Sequence, residues 1–152
     1  MPRWTDTWLF GSTTGSVGNH PGEQFGLPAE GIGSTVGIGR RFAALTVDWL
    51  LAYLIAVLVS GVDEIGTPAF SWTVLGVWFV LTAVPVALFG ASIGMTVLGL
   101  RVASIGHAAV IGVPRALLRT ALIALVVPAL VRDADGRGWH DRATDTIVVR
   151  TR

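Results

Sequence analysis

Apolar residues run almost unbroken from Phe42 to Ser60 and again from Trp72 to Gly90. Each stretch is about 19 residues long, close to the ~20 that a helix needs to cross a ~30 Å hydrocarbon layer, so both are expected as transmembrane helices. The loop between them, Ser60 to Ser71, carries Asp63, Glu64, Gly66 and Pro68 and no basic residue. Pro85 within the second stretch predicts a kink. A third apolar stretch differs in kind, because Arg115 and Arg119 stand in its first turns, at i and i+4 on one face. Its uninterrupted run, Thr120 to Val131, is only about 12 residues, short for a span. Pro114 suits a helix start, and Pro128 bends or ends the helix. A full crossing here puts Arg132, Arg137, Arg142, Arg150 and Arg152 on the outer side, against the preference of arginine for cytoplasmic loops. The expectation is therefore a short, tilted or re-entrant helix over about residues 114–131 at the cytoplasmic interface, rather than a third full span.

Two further segments have strand character: Leu98 to Ile105, and Thr146 to Arg150 with Ile147, Val148 and Val149. Pairing them makes a small cytoplasmic β-ribbon, which requires both on one side of the membrane and so agrees with a third helix that does not cross. Residues 1–39 contain no continuous apolar segment followed by a cleavage site, so no signal peptide is expected to be removed. Gly11 to Gly39 is instead rich in Gly, Ser, Thr and Pro, which predicts an irregular arm without a propagating helix or strand. Trp4, Trp8, Phe10 and Phe25 are large aromatics for such a segment. They suit anchoring at the membrane interface or binding of a partner protein, with a disordered arm as the third alternative. The domain organisation is thus an arm over residues 1–39 and a membrane domain over residues 40–150.

Composition supports this class: 52% of the 152 residues are hydrophobic and 14% charged, unlike an ordinary soluble domain. Absence of cysteine excludes disulfides, thiolate metal sites and thiol catalysis. All 11 basic residues are arginine, and the net charge of +1, with no basic face interleaved with aromatics, argues against a nucleic-acid binder. Arginines crowd the start of the first span and the region after the second, whereas the loop between is acidic, so both ends of this hairpin are expected in the cytoplasm.

Asp48 lies one to two turns into the first span, with Arg40 and Arg41 at its mouth. An ionised side chain in hydrocarbon costs roughly 3 kcal/mol even on lenient scales, so a partner or a task is expected for it. Arg41, Phe42, Ala44, Val47 and Asp48 resemble the opening signature of the RDD family of small bacterial membrane proteins. Gly90 to Val102, reading GASIGMTVLGLRV, is similar to the segment that follows that family's second span. Arg115-Ala-Leu-Leu-Arg119 resembles its third helix start, and Trp139-His140-Asp141-Arg142 with Thr146-Ile147-Val148-Val149 resembles its closing block. The four blocks fall in order over about residues 38–150. The resemblance implies that Arg41, Asp48 and Asp141 occupy the eponymous positions. Met95 and Ser92 stand where the family pattern has lysine and threonine. For some members of that family transport or ion exchange is suspected.

Arg41 and Asp48 are two helical turns apart, about 10 Å along the axis, so each needs another partner. Asp48 is expected to meet Arg101, Arg115 or Arg119, and Arg41 to meet Asp141, clamping the C-terminal segment against the first helix. An ion network that pins the fold is preferred to a proton or cation relay, because neither full span holds a second carboxylate. His20, His107 and His140 form no paired ligand motif, and Arg132-Asp133-Ala-Asp135-Gly136 reads as a turn, not a calcium loop. Ser92, Ser104, His140 and Asp145 lack the surroundings of a hydrolase nucleophile. The Gly90–Gly94 pair is read as a bend, not a dimer face. No catalytic residue, metal or cofactor is expected. The functional expectation is a non-catalytic accessory, assembly or stabilising subunit of a larger integral membrane complex in the bacterial plasma membrane, a respiratory complex being one candidate host. The alternative is a component of an ion or small-solute transporter that acts as an oligomer.

Overall fold

The computed structural model describes residues 20–105, 111–125 and 138–152, the side chain of Trp139 excepted. Trp4, Trp8 and Phe10 of the arm, and residues 126–131 of the expected third helix, lie outside them. Helix α1, Ile38–Ser60, and helix α2, Pro68–Phe89, are both long and apolar enough to cross a membrane. Each starts a turn earlier than the apolar runs suggest, since polar first turns are no obstacle to a helix. In α2 the extra turn follows from Pro68 in its first turn and from Thr67, whose hydroxyl oxygen accepts the Phe70 N–H at 3.1 Å. The helix runs through Pro85 to Gly90, which ends it in the left-handed conformation (φ 74°).

Small residues set the contact between these helices. Ala44, Asp48, Ala52 and Ala56 recur every four residues on the buried stripe of α1. Ala56 clusters with Phe70 and Val74, and Ala44 with Val86 and Ala87, so the hairpin is antiparallel. Trp49 stacks on Trp78 with ring centroids 5.0 Å apart, and Tyr53 meets Phe70 edge-on at 5.3 Å. The outer faces are apolar as well: Phe42, Leu50, Leu54, Leu58 and Val59 on α1, and Trp72, Val80, Val84, Leu88 and Phe89 on α2, are exposed. Only 22% and 33% of the most apolar windows of α1 and α2 are buried inside the chain. An exposed apolar belt of this extent is a surface made for lipid or for other apolar helices.

After Gly90 the chain builds a compact cap on this end of the hairpin. Helix α3, Ile93–Val97, leads through Gly99 (φ 68°) into strand β1, Leu100–Ser104. Helix α4, Val113–Ala124, packs along α2. Helix α5, Trp139–Ala143, precedes strand β2, Thr146–Arg150. The strands pair antiparallel, with Leu100 opposite Arg150 and Ser104 opposite Thr146. Strand β1 is shorter than the expected extended segment because the Leu98 N–H donates back to the Gly94 carbonyl at 3.2 Å, closing α3.

The expected irregular arm requires one correction. Its last residues add a rung to the far edge of β2: Gly33 N–H donates to Arg150 O at 2.8 Å, Arg150 N–H to Ser34 O at 3.0 Å and Val36 N–H to Val148 O at 3.3 Å. Thr35 thereby bridges Val149, and β2 becomes the middle of three extended segments. Glycine density hid this, yet Ser34, Thr35 and Val36 between Gly33 and Gly37 are enough for one rung, and Thr and Val favour it. The core forms where sheet and hairpin meet, from Val36, Ala44, Val86, Ala87, Leu100, Val102, Ile111, Ala116 and Val148, with Met95 and Leu98 packed against it.

Candidate functional site

Two carboxylates organise the cap. Asp141, fully buried on α5, accepts from Arg41 Nη1 on Oδ2 at 2.5 Å and from Arg119 Nη1 on Oδ1. Its Oδ2 also faces the Gly138 N–H at 3.4 Å, and His140 Nε2 lies 3.3 Å from Oδ1. Arg41 comes from the first turns of α1, whereas Arg119 comes from the buried stripe of α4 that also holds Ala116 and Thr120. Arg119 Nη1 reaches Thr146 Oγ1 at 3.2 Å, and Thr146 Oγ1 shares a hydrogen bond with Thr144 Oγ1 at 3.0 Å. One carboxylate thus ties the start of the first span, helix α4 and the entry to strand β2. Burial pushes the Asp141 carboxyl up, but the Arg119 and Arg41 guanidiniums, His140 and the hydrogen bond from Arg119 outweigh it. The group is held well below the usual carboxylate range.

Asp48 is a separate centre, and here the expectation is corrected: among the described residues neither Arg101, Arg115, Arg119 nor any other arginine pairs with it. The Ser92 hydroxyl donates to Oδ2 at 2.5 Å and the Gly94 N–H donates to Oδ1 at 2.7 Å. Ser92 is the N-cap of α3, its Oγ accepting the Met95 N–H at 3.2 Å, so Asp48 completes the capping of that helix from outside. Gly94 permits the approach: a Cβ there would overlap the backbone carbonyl oxygen of Ala44 and stand 3.0 Å from Asp48 Cγ. The close packing of α3 on α1 therefore brings a main-chain amide onto the carboxylate, in the place a guanidinium was expected to take. Met95, in the lysine position of the resembled pattern, packs half-buried against the apolar core instead. Of the Gly90–Gly94 pair, Gly90 is the left-handed turn and Gly94 an intrachain contact point.

The remaining predicted residues are dispersed. Arg101 is exposed, with Nε 3.3 Å from where a Cβ would stand on Gly90. Arg115 is exposed, with Nη1 3.4 Å from Ser104 Oγ. Phe25 is half-buried in a single 3₁₀ turn, Glu23–Phe25. Ser92 lies at Asp48, Ser104 at Arg115 and His140 at Asp141, so these do not assemble into one site. His20 is bound to the Leu27 carbonyl at 2.8 Å, whereas His107, Asp133 and Asp135 lie outside the described residues. Sequence reasoning missed Ser92 as a partner of Asp48 and Thr144 and Thr146 as partners in the Asp141 node. The signal for Ser92 was its cap position ahead of α3; the two threonines carried none beyond their strand propensity.

Chemically, both carboxylates act as acceptors for groups of the same chain. The arrangement holds segments together: the Asp141 node joins residues one hundred positions apart (Arg41 and Asp141), and Asp48 fastens the turn after the second span to the first. Comparison with curated proteins and with solved structures returns no match. The family model described as RDD family matches residues 35–145, which takes in both apolar helices and both carboxylate centres. With that match over most of its length, this chain, a membrane protein by its two apolar helices, belongs to the RDD family.

Proposed function

We propose that this chain is a non-catalytic accessory, assembly or stabilising subunit of a larger integral membrane complex, with the arginine-rich end and both termini in the cytoplasm of a bacterium. The observation that carries this reading is the direction in which the charges and the apolar residues point. Buried charge is turned inwards and consumed in fastening the fold, as Arg41 and Arg119 on Asp141 and as Asp48 on Ser92 and Gly94. The outer faces of α1 and α2 are apolar and available for neighbouring helices. The exposed arginines Arg40, Arg101, Arg115, Arg142 and Arg152 lie at the cap end of the hairpin, whereas the loop at the other end carries Asp63 and Glu64, the asymmetry that supports this orientation.

Helix α4 fits the same scheme as a short interfacial or re-entrant helix. Its described length of 12 residues is about 18 Å, and its Arg119 shares Asp141 with Arg41 of the first turns of α1, both of which support that reading. Its outward side shows Val113, Leu117, Leu118 and Leu125, a face suited to the acyl boundary. The aromatic arm is the proposed contact with the host, a respiratory complex being one such host. Mild-detergent affinity purification of the tagged chain from its native membrane, followed by mass spectrometry, tests the reading. Stoichiometric recovery of a larger complex supports it; recovery of the chain alone contradicts it.

A further inference from the structure

We propose that the end of α2 and helix α3 form a seat for one anionic phospholipid, with Arg101 and Arg152 holding its phosphate and Phe89, Ile93 and Val97 lying against its acyl chains. These three apolar side chains are exposed by 68%, 40% and 56% where the second span emerges. Ile93 and Val97 stand at i and i+4, on one face of α3. In hydrocarbon such residues need no cover, but at the end of a span they lie at headgroup depth, where the adjoining polar groups decide which lipid stays.

Both arginines adjoin this patch. Arg101 lies across the left-handed turn at Gly90, immediately after Phe89. Arg152 lies over Gly99 and donates to the last carbonyls of α3, to Thr96 O at 3.4 Å and to Val97 O. Both rise from the same end of the sheet, where Leu100 pairs with Arg150. Both are exposed, and neither forms an ion pair with a carboxylate among the described residues. Arg152 bonds the α3 carbonyls through Nη2, with its other nitrogens left for a phosphate. A guanidinium without a carboxylate partner at a membrane surface is a forked donor matched to phosphate oxygens. Two of them beside an apolar landing recognise a net negative headgroup over a zwitterionic one. The seat is a property of this chain alone and does not depend on whether a host complex exists.

The test uses the full chain purified in mild detergent and reconstituted into phosphatidylcholine nanodiscs containing spin-labelled phosphatidylglycerol or, in parallel, spin-labelled phosphatidylcholine. The wild-type chain is expected to immobilise phosphatidylglycerol preferentially. Arg101→Gln with Arg152→Gln is expected to weaken that preference by about fivefold per charge removed. Arg142→Gln, which removes an exposed charge of α5 away from the patch, is expected to leave it unchanged. If the glutamine pair fails to fold, Arg101→Lys with Arg152→Lys keeps the charge and is expected to keep most of the preference. Equal loss in Arg142→Gln means diffuse electrostatics and overturns the proposal. So does the absence of a preference in the wild type, or displacement of the lipid by inorganic phosphate, which makes the site one for a free anion.

Discussion

Asp141→Asn is the substitution that weighs the buried charge node. It is nearly isosteric, but it removes the negative charge opposite Arg119, whose side chain is 2% exposed, and Arg41, at 13%. Neither arginine sheds its proton at accessible pH, so both positive charges stay in a buried region and lose the Asp141 carboxylate. Breaking a buried pair typically costs about 3–5 kcal/mol, because the desolvated partner is left behind. A surface pair is worth about 0–1 kcal/mol. For a chain of this size, about 2–4 °C of midpoint per kcal/mol gives a fall on the order of 10 °C in detergent-solubilised protein. Thermal unfolding followed by size exclusion reads that fall directly. Arg119→Gln combined with Asp141→Asn should lose less than the sum of the two single losses, since both remove the same contact. A loss in Asp141→Asn no larger than that of Arg142→Gln, or strict additivity of the pair, refutes the reasoning.

Other outcomes follow from the same geometry. Because the Asp141 carboxyl is held below its unfolded value of about 3.9, its contribution is fully present above that pH and is lost as pH falls through the folded value. Stability against acid should therefore stay level down to about pH 4 with respect to this group and decline below it, and Asp141→Asn should remove that acid limb in pH-dependent melts. Gly94→Ala should destabilise by about 1–3 kcal/mol or more, because the new methyl meets the fixed Ala44 carbonyl and not a flexible side chain; a melt matching the wild type would contradict the close packing of α3 on α1. Deleting residues 1–37 should weaken association with the host and lower the melting midpoint, the latter by removing the rung on β2. Co-purification and melting of that truncation check the two effects.

Much of the membrane hairpin is legible in the sequence, since two apolar runs of bilayer length need no tertiary information. Its limits are not, because Thr67 and Pro68 cap and start α2 with polar or turn-forming residue types. The Arg41–Asp141 contact joins positions whose separation gives no local signal; only the resemblance to the RDD blocks pointed to it. Three arginines were equivalent candidates for a carboxylate partner, and burial alone distinguishes Arg119 from Arg101 and Arg115. The partner of Asp48 was illegible for a further reason. A backbone amide such as that of Gly94 has no side-chain identity to read, and it became available only through the turn at Gly90.

The accessory-subunit reading parts from the transporter reading at Asp48. The direct measurement is cation and proton flux in proteoliposomes containing the purified chain, compared with Asp48→Asn and with empty liposomes. If Asp48 fastens α3 to α1, all three should leak alike, with the variant differing only in melting midpoint. Flux above the empty liposomes that Asp48→Asn abolishes would contradict the account.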